Sequence, residues 1–206
     1  MLHEIHHRVK NNLQIISGIL QLQKFRANTK DASEPLYECI TRIHAMARVQ
    51  ENIYKTGKIS NINIAKYLTG LCEYLIYSSC FKSENISLVL DCDQEFTLDA
   101  DRIICCALIT NELLTNSLKH AYKPGETGKI EVSFIKDDEN NYVFSVKDYG
   151  VGIPDNIDFH RMDSLGMQLV INITTQLHGT IKHYNDQGTE FVISFPADNG
   201  KEEHQK

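Results

Sequence analysis

The chain has 206 residues, of which 42% are apolar, and a formal net charge of −6. This length allows one large domain or two small ones, and the apolar share is enough for a sizeable core. The acidic balance, without a long basic run, argues against a nucleic-acid surface. No stretch approaches the ~20 apolar residues that span a bilayer, and no leader pattern opens the chain, so we expect a cytoplasmic protein without a membrane segment.

The cysteines are scattered along the chain and include no CxxC pair. This pattern favours reduced, small hydrophobic side chains over a disulfide or zinc framework. The cysteines are Cys39, Cys72, Cys80, Cys92, Cys105 and Cys106.

Two amphipathic helices are predicted in the first 57 residues, because apolar side chains recur there at spacings of three and four. A polar stretch separates them, and we predict that Pro35 lies in the first turn of the second helix with Ser33 as its N-cap. The chain begins inside the first helical pattern, so we expect further sequence upstream of it. Two copies of this hairpin would bury the apolar stripes of both helices in a four-helix bundle, whereas a hairpin packed on its own domain is the alternative.

Helices and antiparallel strands are segregated in the rest of the chain, which predicts an α+β two-layer sandwich with one helical layer on one sheet. The predicted helices are 64–77, 99–122 and 165–177, and the predicted strands are 86–92, 129–136, 142–148 and two that flank 185–188. We therefore divide the chain into an all-α hairpin (1–60), an α+β sandwich domain (61–198) and a disordered tail (199–206).

Three histidines lie together on the first turns of the first helix: His3, His6 and His7. Imidazole is a good nucleophile near neutral pH, because its unperturbed pKa is ~6.5. The four-residue spacing of His3 and His7 also suits a metal site. No cysteine lies nearby and Glu4 is the one carboxylate there, which argues against metal binding.

A polar face is predicted on the long helix, where Glu112, Asn116 and either Lys119 or His120 lie three or four residues apart. A carboxylate, an amide oxygen and a cation in this order suit Mg²⁺ and its attached phosphates. A solvated polar face is the alternative.

Two further segments are typical of a nucleotide site. Asp148 ends a predicted strand and could accept a hydrogen bond from an adenine amine, while Gly150 and Gly152 would let the backbone approach the ring. Ser164 precedes a helix whose N-terminal amides could bind phosphate, although it could also serve as an N-cap alone.

In this order and spacing, residues 63–196 resemble the ATP-binding domain shared by histidine kinases, DNA gyrase, MutL-type repair proteins and heat-shock chaperones. Residues 111–120 resemble its N-box, 148–152 and 164–169 its two glycine boxes, and 188–191 its last box. The opening stretch resembles the phosphoacceptor box of the histidine-kinase branch, with His7, Arg8 and Asn11 as its His-Arg-x-x-Asn signature.

The resemblance implies ATP and Mg²⁺ as cofactors, with Asn116 as the magnesium ligand, Glu112 near the metal through a water, and Asp148 as the adenine contact. It implies His7 as the phosphoacceptor. The implied nucleotide-binding residues are Asn116, Lys119, His120, Asp148, Gly150, Gly152, Ser164, Leu165, Gly166, Met167 and Thr189.

Two residues depart from the family pattern. Ser164 replaces the first glycine of the second glycine box, and Arg8 follows His7 where many histidine kinases carry an acidic residue. The usual neighbouring general base is therefore absent, and Glu4 or Glu112 could take its place.

The implied function is autophosphorylation of His7 by ATP·Mg, followed by transfer of the phosphoryl group to an aspartate of a response-regulator receiver domain. Residues 1–60 would form the dimerisation and phosphotransfer hairpin of a homodimer, and 61–198 the catalytic domain. The receiver would dock around Arg8, Lys10 and Asn11, and a sensor domain would lie upstream. The alternatives are a degenerate nucleotide-binding interaction module, an ATP-driven protein of the chaperone or gyrase type, or a kinase of protein serine.

Overall fold

The structure is a computed structural model that describes residues 2–27, 29–56, 62–78, 85–123, 125–154 and 164–197. Within these ranges, only the backbone is described for residues 2–8, 10, 30, 31 and 50–56. The predicted tail, the predicted boundary near residue 60 and the side chains of Glu4 and His7 therefore lie outside the described part.

The first two helices, α1 (Leu2–Arg26) and α2 (Lys30–Thr56), form the predicted antiparallel hairpin. Ser17 Oγ lies 3.3 Å from His44 Nε2, and the Lys24 ammonium lies 4.5 Å from the centre of the Tyr37 ring. The contacting residues nearer the turn are fewer positions apart in the sequence, as in any antiparallel pair of helices.

The predicted start of the second helix was wrong. Helix α2 begins at Lys30, and Pro35 lies inside it. Thr29 Oγ1, rather than Ser33, accepts a hydrogen bond at the helix start, from the Ala32 N–H at 3.3 Å. Pro35 is the sixth residue of α2, beyond the first four N–H groups that have no partner within a helix, so α2 lacks one i→i−4 hydrogen bond at this position.

The remaining elements are α3 (Ile64–Ser78), α4 (Ala100–His120) and α5 (Leu165–Gln176), with strands β1 (Ile62–Asn63), β2 (Ile86–Cys92), β3 (Thr97–Leu98), β4 (Gly128–Lys136), β5 (Asn141–Asp148), β6 (Thr180–Tyr184) and β7 (Glu190–Pro196). Strands β1 and β3 pair over two residues each, and strands this short leave no recognisable pattern in the sequence.

The main sheet has the order β2-β4-β5-β7-β6. Strand β2 runs parallel to β4, whereas the other three pairings are antiparallel. The prediction of an all-antiparallel sheet was therefore wrong for one pair. Helix α4 connects β2 to β4 and returns the chain to the same end of the sheet, as a parallel pairing requires.

The core lies between the sheet and the helices α3, α4 and α5, which confirms the two-layer sandwich. Phe134, Phe144 and Phe195 are fully buried on the inner face of neighbouring strands. The same core continues into α2 through Ala45 and Val49, both fully buried. Helix α2 is thus packed on the sandwich as well as on α1.

The described cysteines are all free, and three of them (Cys72, Cys105 and Cys106) are buried. Desolvation raises the pKa of the Cys72 thiol to about 12, so this thiol stays protonated. The structure thus supports the interpretation of these residues as small hydrophobic side chains. In the described ranges, no helix is long and apolar enough to cross a membrane.

Candidate functional site

A cavity of about 400 Å³ opens between α4, the loop after β5, the start of α5 and the start of β7. It brings together many residues that the sequence pointed to: Asn116, His120, Asp148, Gly152, Ser164, Met167 and Thr189. Its walls are mainly apolar, formed by Leu113, Ala121, Val151, Ile153, Pro154 and Phe191. The cavity is therefore a hydrophobic slot with a few polar groups, as ligand sites usually are.

Asp148 is the most strongly fixed polar group of the cavity and is 4% exposed. Its Oδ2 accepts from the Ser117 hydroxyl at 2.9 Å, and its Oδ1 accepts from the N–H groups of Gly150 and Thr189, both at 3.1 Å. Two carboxylate oxygens offer about four acceptor positions, so one position remains for a ligand. The arrangement suits the amine of an adenine ring.

Gly150 allows the loop after β5 to pass against the end of α4. A Cβ at this position would lie 2.1 Å from the carbonyl oxygen of Ala121, which no side chain could tolerate. The adjacent N–H of Val151 donates to the same carbonyl at 3.0 Å. Glycine here thus sets one wall of the cavity without lining it.

Asn185 holds the other side of this loop and was not singled out in the sequence. Its Oδ1 accepts from the Ile153 N–H at 3.0 Å, and its Nδ2 donates to the Ile153 carbonyl at 2.7 Å. A Cβ on Gly152, whose φ is +74°, would lie 2.4 Å from Asn185 Oδ1. Asn185, in the turn between β6 and β7, therefore fixes the position of the loop after β5.

Ser164 caps helix α5, because its hydroxyl accepts from the Met167 N–H at 3.4 Å. The first amides of α5 thus lie at the rim of the cavity and could bind an anion. Asn116 lies opposite them on α4, with its Nδ2 4.0 Å from Met167 Sδ. Leu165 and Gly166 follow Ser164 but do not line the cavity.

His120 lines the cavity one turn after Asn116. Partial desolvation, followed by the neighbouring charge of Lys119, lowers the pKa of His120 below its usual 6.5. The imidazole is therefore neutral at pH 7 in the unliganded structure.

Glu112 and Lys119 do not line the cavity and instead contact α2. Glu112 is 5% exposed and binds Arg42 through both oxygens, at 2.7 Å from Nε to Oε1 and 2.6 Å from Nη2 to Oε2. The Lys119 ammonium binds Glu34 at 2.8 Å and also Glu38. Despite partial burial, these carboxylates raise the pKa of Lys119.

Besides Asn185, four groups that shape this region were not predicted from the sequence. Ser117 follows Asn116 directly and could have been inferred from its place one turn before the helix end. Arg42, Glu34 and Glu38 lie far away in the sequence, and no local pattern links them to the sandwich.

The residues present fit ATP and Mg²⁺. The apolar slot ends in a buried carboxylate with a remaining acceptor position, and a helix N-terminus and Asn116 lie toward its rim. Among the described residues no group of three His, Cys, Asp or Glu side chains could hold a metal ion. Mg²⁺ in nucleotide sites is usually held by a few protein oxygens together with phosphates and water, and Asn116 would supply one such oxygen.

Family comparisons divide the chain into two segments. Residues 4–79 match a family model described as histidine kinase. Residues 103–199 match one described as histidine kinase-, DNA gyrase B-, and HSP90-like ATPase.

Individual relatives are sensor kinases. The sensor histidine kinase PdtaS of Mycobacterium tuberculosis is 28% identical over 199 residues, which cover 94% of this chain and 39% of that protein. Blue-light-activated histidine kinase 2 of Erythrobacter litoralis is 26% identical over 193 residues, or 86% of this chain and 54% of that protein. The chain thus spans well under two thirds of the length of these relatives.

A solved structure shares the fold. The histidine kinase domain of a blue-light activated histidine kinase from Erythrobacter litoralis superposes with a TM-score of 0.72 at 22% identity, covering 94% of this chain and 89% of that one. The two family matches, in this order, and the sensor kinase relatives together support the assignment of this chain as a histidine kinase core.

Proposed function

We propose that the chain is the core of a two-component sensor histidine kinase, which phosphorylates its own His7 with ATP·Mg and passes the phosphoryl group to an aspartate of a response-regulator receiver domain. The observation that carries this proposal is the cavity with Asp148 at its base, joined to a helical hairpin that matches a histidine kinase family model. As a consumer of ATP, the protein would act in the cytoplasm.

Each group of the cavity has a role in binding. Asp148, oriented by Ser117, would accept a hydrogen bond from the adenine amine, and the apolar walls would hold the ring. Asn116 would supply an oxygen to Mg²⁺, while His120 and the first amides of α5 would contact the phosphates. Bound Mg²⁺ would neutralise charge on the phosphates.

In the reaction, a ring nitrogen of His7 attacks the γ-phosphorus in line. The new N–P bond forms as the bond to the bridging oxygen breaks, and ADP leaves. Catalysis of this kind depends mainly on positioning and charge stabilisation. The proton lost by the imidazole would pass to Glu4 or to Glu112, and Glu112 can accept it only after its pair with Arg42 opens.

An exposed apolar stripe on α1 supports the proposal of a homodimer. Ile15, Ile19 and Leu22 are 61%, 53% and 63% exposed and follow one another at spacings of four and three. Such a stripe on one helix face indicates a protein partner. A second copy of the hairpin would cover it in a four-helix bundle.

The test is incorporation of label from γ-labelled ATP·Mg into the wild-type chain, a His7→Gln chain and a His6→Gln control chain. We expect acid-labile label on the wild type and on the control, and none on His7→Gln. Undiminished labelling of His7→Gln would rule out His7 as the acceptor. Nucleotide binding without acid-labile label would support the interaction module instead.

A further inference from the structure

Five charged residues form a contact between α2 and α4, which we call the α2–α4 charge contact. It consists of Glu34, Glu38 and Arg42 on α2 and Glu112 and Lys119 on α4. The side chains of Arg42, Glu112 and Lys119 are 12%, 6% and 5% exposed, whereas those of Glu34 and Glu38 are 33% and 32% exposed. The Arg42–Glu112 pair and the Lys119 ammonium are therefore largely shielded from water, and the two carboxylates that bind Lys119 lie at the edge of the contact. Charge pairs in such surroundings are screened far less than surface pairs.

This contact lies beside the phosphate side of the cavity. Gly166 is the second residue of α5, and its neighbours Ser164 and Met167 line the cavity. A Cβ on Gly166 would lie 2.5 Å from Glu112 Oε2 and 3.7 Å from Arg42 Nη2. The guanidinium of α2 therefore lies against the helix start that is expected to receive the phosphates.

The charges of α2 match those of the expected ligand. The Lys119 ammonium binds two carboxylates of α2, and in the nucleotide complex it would bind phosphate oxygens instead. Glu112 receives a guanidinium, where the nucleotide would present Mg²⁺. The charged side chains of α2 thus bind the two α4 side chains, Glu112 and Lys119, that ATP·Mg would contact. The α2 side chains and ATP·Mg cannot bind them at the same time.

The same arrangement keeps the acceptor histidine of its own chain away from the cavity. Ser17 lies opposite His44, and His7 lies ten residues before Ser17, which places it ~15 Å further along the hairpin at 1.5 Å per residue. Arg42 lies two residues from His44 in the opposite direction, which adds ~3 Å. The backbone at His7 is thus ~18 Å along the hairpin from the level of Gly166, whereas transfer needs contact at ~3–3.5 Å.

We propose that the α2–α4 charge contact is an autoinhibitory lock, in which Glu34, Glu38 and Arg42 compete with the phosphates and metal of the nucleotide for Lys119 and Glu112. The proposal rests on the proposed function, in that ATP·Mg binds in this cavity, and adds that its phosphates and metal extend beyond the cavity lining to Lys119 and Glu112. Adenosine has no phosphates and would bind without opening the lock. ATP would bind with its intrinsic affinity reduced by the fraction of molecules in which the lock is open.

The experiment compares dissociation constants for ATP·Mg and for adenosine, measured by titration calorimetry. The lock variant is Glu34→Gln/Glu38→Gln, which removes the α2 carboxylates but keeps an acceptor oxygen at each position. The control variant, Glu95→Gln/Glu139→Gln, makes the same change of net charge in two exposed turns. We expect ATP·Mg to bind the lock variant about tenfold more tightly, as for a lock open one time in ten, with adenosine unchanged. The control should change by less than twofold.

A double-mutant cycle separates the lock from general electrostatics. If the lock acts by holding Lys119, the gain in ATP affinity should disappear when Glu34→Gln/Glu38→Gln is combined with Lys119→Met. A gain that persists in the Lys119→Met background, or equal ATP affinity in the lock variant and the wild type, would overturn the proposal. If neither ligand binds the wild type, the proposed function itself fails, and adenosine binding by each variant shows that the variant is folded.

Discussion

Replacement of Asp148 by asparagine tests the adenine pocket most sharply. The carboxylate accepts from the Ser117 hydroxyl and from the N–H groups of Gly150 and Thr189. An asparagine of the same shape can keep its oxygen toward the two N–H groups and donate to the Ser117 hydroxyl, which can rotate to accept. The fold should therefore survive, with a loss of about 1–2 kcal/mol in the free energy of unfolding from weaker hydrogen bonds.

The effect on nucleotide binding should be larger and specific to the base. A hydrogen bond to a charged acceptor contributes ~1.5–3 kcal/mol, so loss of the bond to the adenine amine should weaken ATP binding ~10- to 150-fold. Inosine triphosphate carries a carbonyl in place of that amine. The new amide of Asp148→Asn can donate to this carbonyl, so the variant should lose the preference for ATP over inosine triphosphate. Titration of both nucleotides against both chains measures this, and a variant that keeps the wild-type preference would refute the role of Asp148.

Three further predictions concern the surroundings of the cavity. Gly150→Ala should lower both the melting temperature and the affinity for ATP, because the added Cβ would overlap a main-chain carbonyl. Gly18→Ala lies in open space on a helix and should instead raise the free energy of unfolding by ~0.5–1 kcal/mol, measured by thermal unfolding. Arg42→Met should cost ~3–5 kcal/mol in urea unfolding because it leaves buried Glu112 unpaired, and Arg42→Met/Glu112→Leu should recover most of that loss; additive effects would contradict the coupling. The pKa of His120 is lower in the folded chain than in the unfolded chain, so the free energy of unfolding should fall as the pH drops below 6.5. ATP should bind more tightly over the same range, because the imidazole becomes cationic. His120→Gln should flatten both pH profiles.

Most of the elements follow from periodicity and end signals. Helix α4 was predicted at 99–122 and runs over Ala100–His120, with Asp99 as N-cap accepting from the Arg102 N–H at 2.9 Å. Strand β2 was predicted with its observed bounds. The direction of β2 relative to β4 could not be predicted, because strand pairing depends on the path of the chain through α4 rather than on local pattern.

Many residues of the site could be predicted from the sequence, but the directions in which their side chains point could not. Spacings of three and four along α4 place Glu112, Asn116 and Lys119 near one another, but they do not say what each side of the helix faces. In the structure, Asn116 and His120 face the cavity, whereas Glu112 and Lys119 face α2. This division depends on tertiary packing of the hairpin against the sandwich, which no local motif encodes.

The proposed function requires the cavity, which would bind ATP, and the first helix, which carries His7, to act together in one reaction. The most direct measurement is mass-spectrometric mapping, at alkaline pH, of the phosphorylated residue in the wild-type chain after incubation with ATP·Mg. We expect a phosphoryl group on His7, absent from an Asp148→Asn chain at ATP concentrations near the wild-type dissociation constant. Phosphate on serine, or release of inorganic phosphate with no phosphorylated histidine, would contradict it.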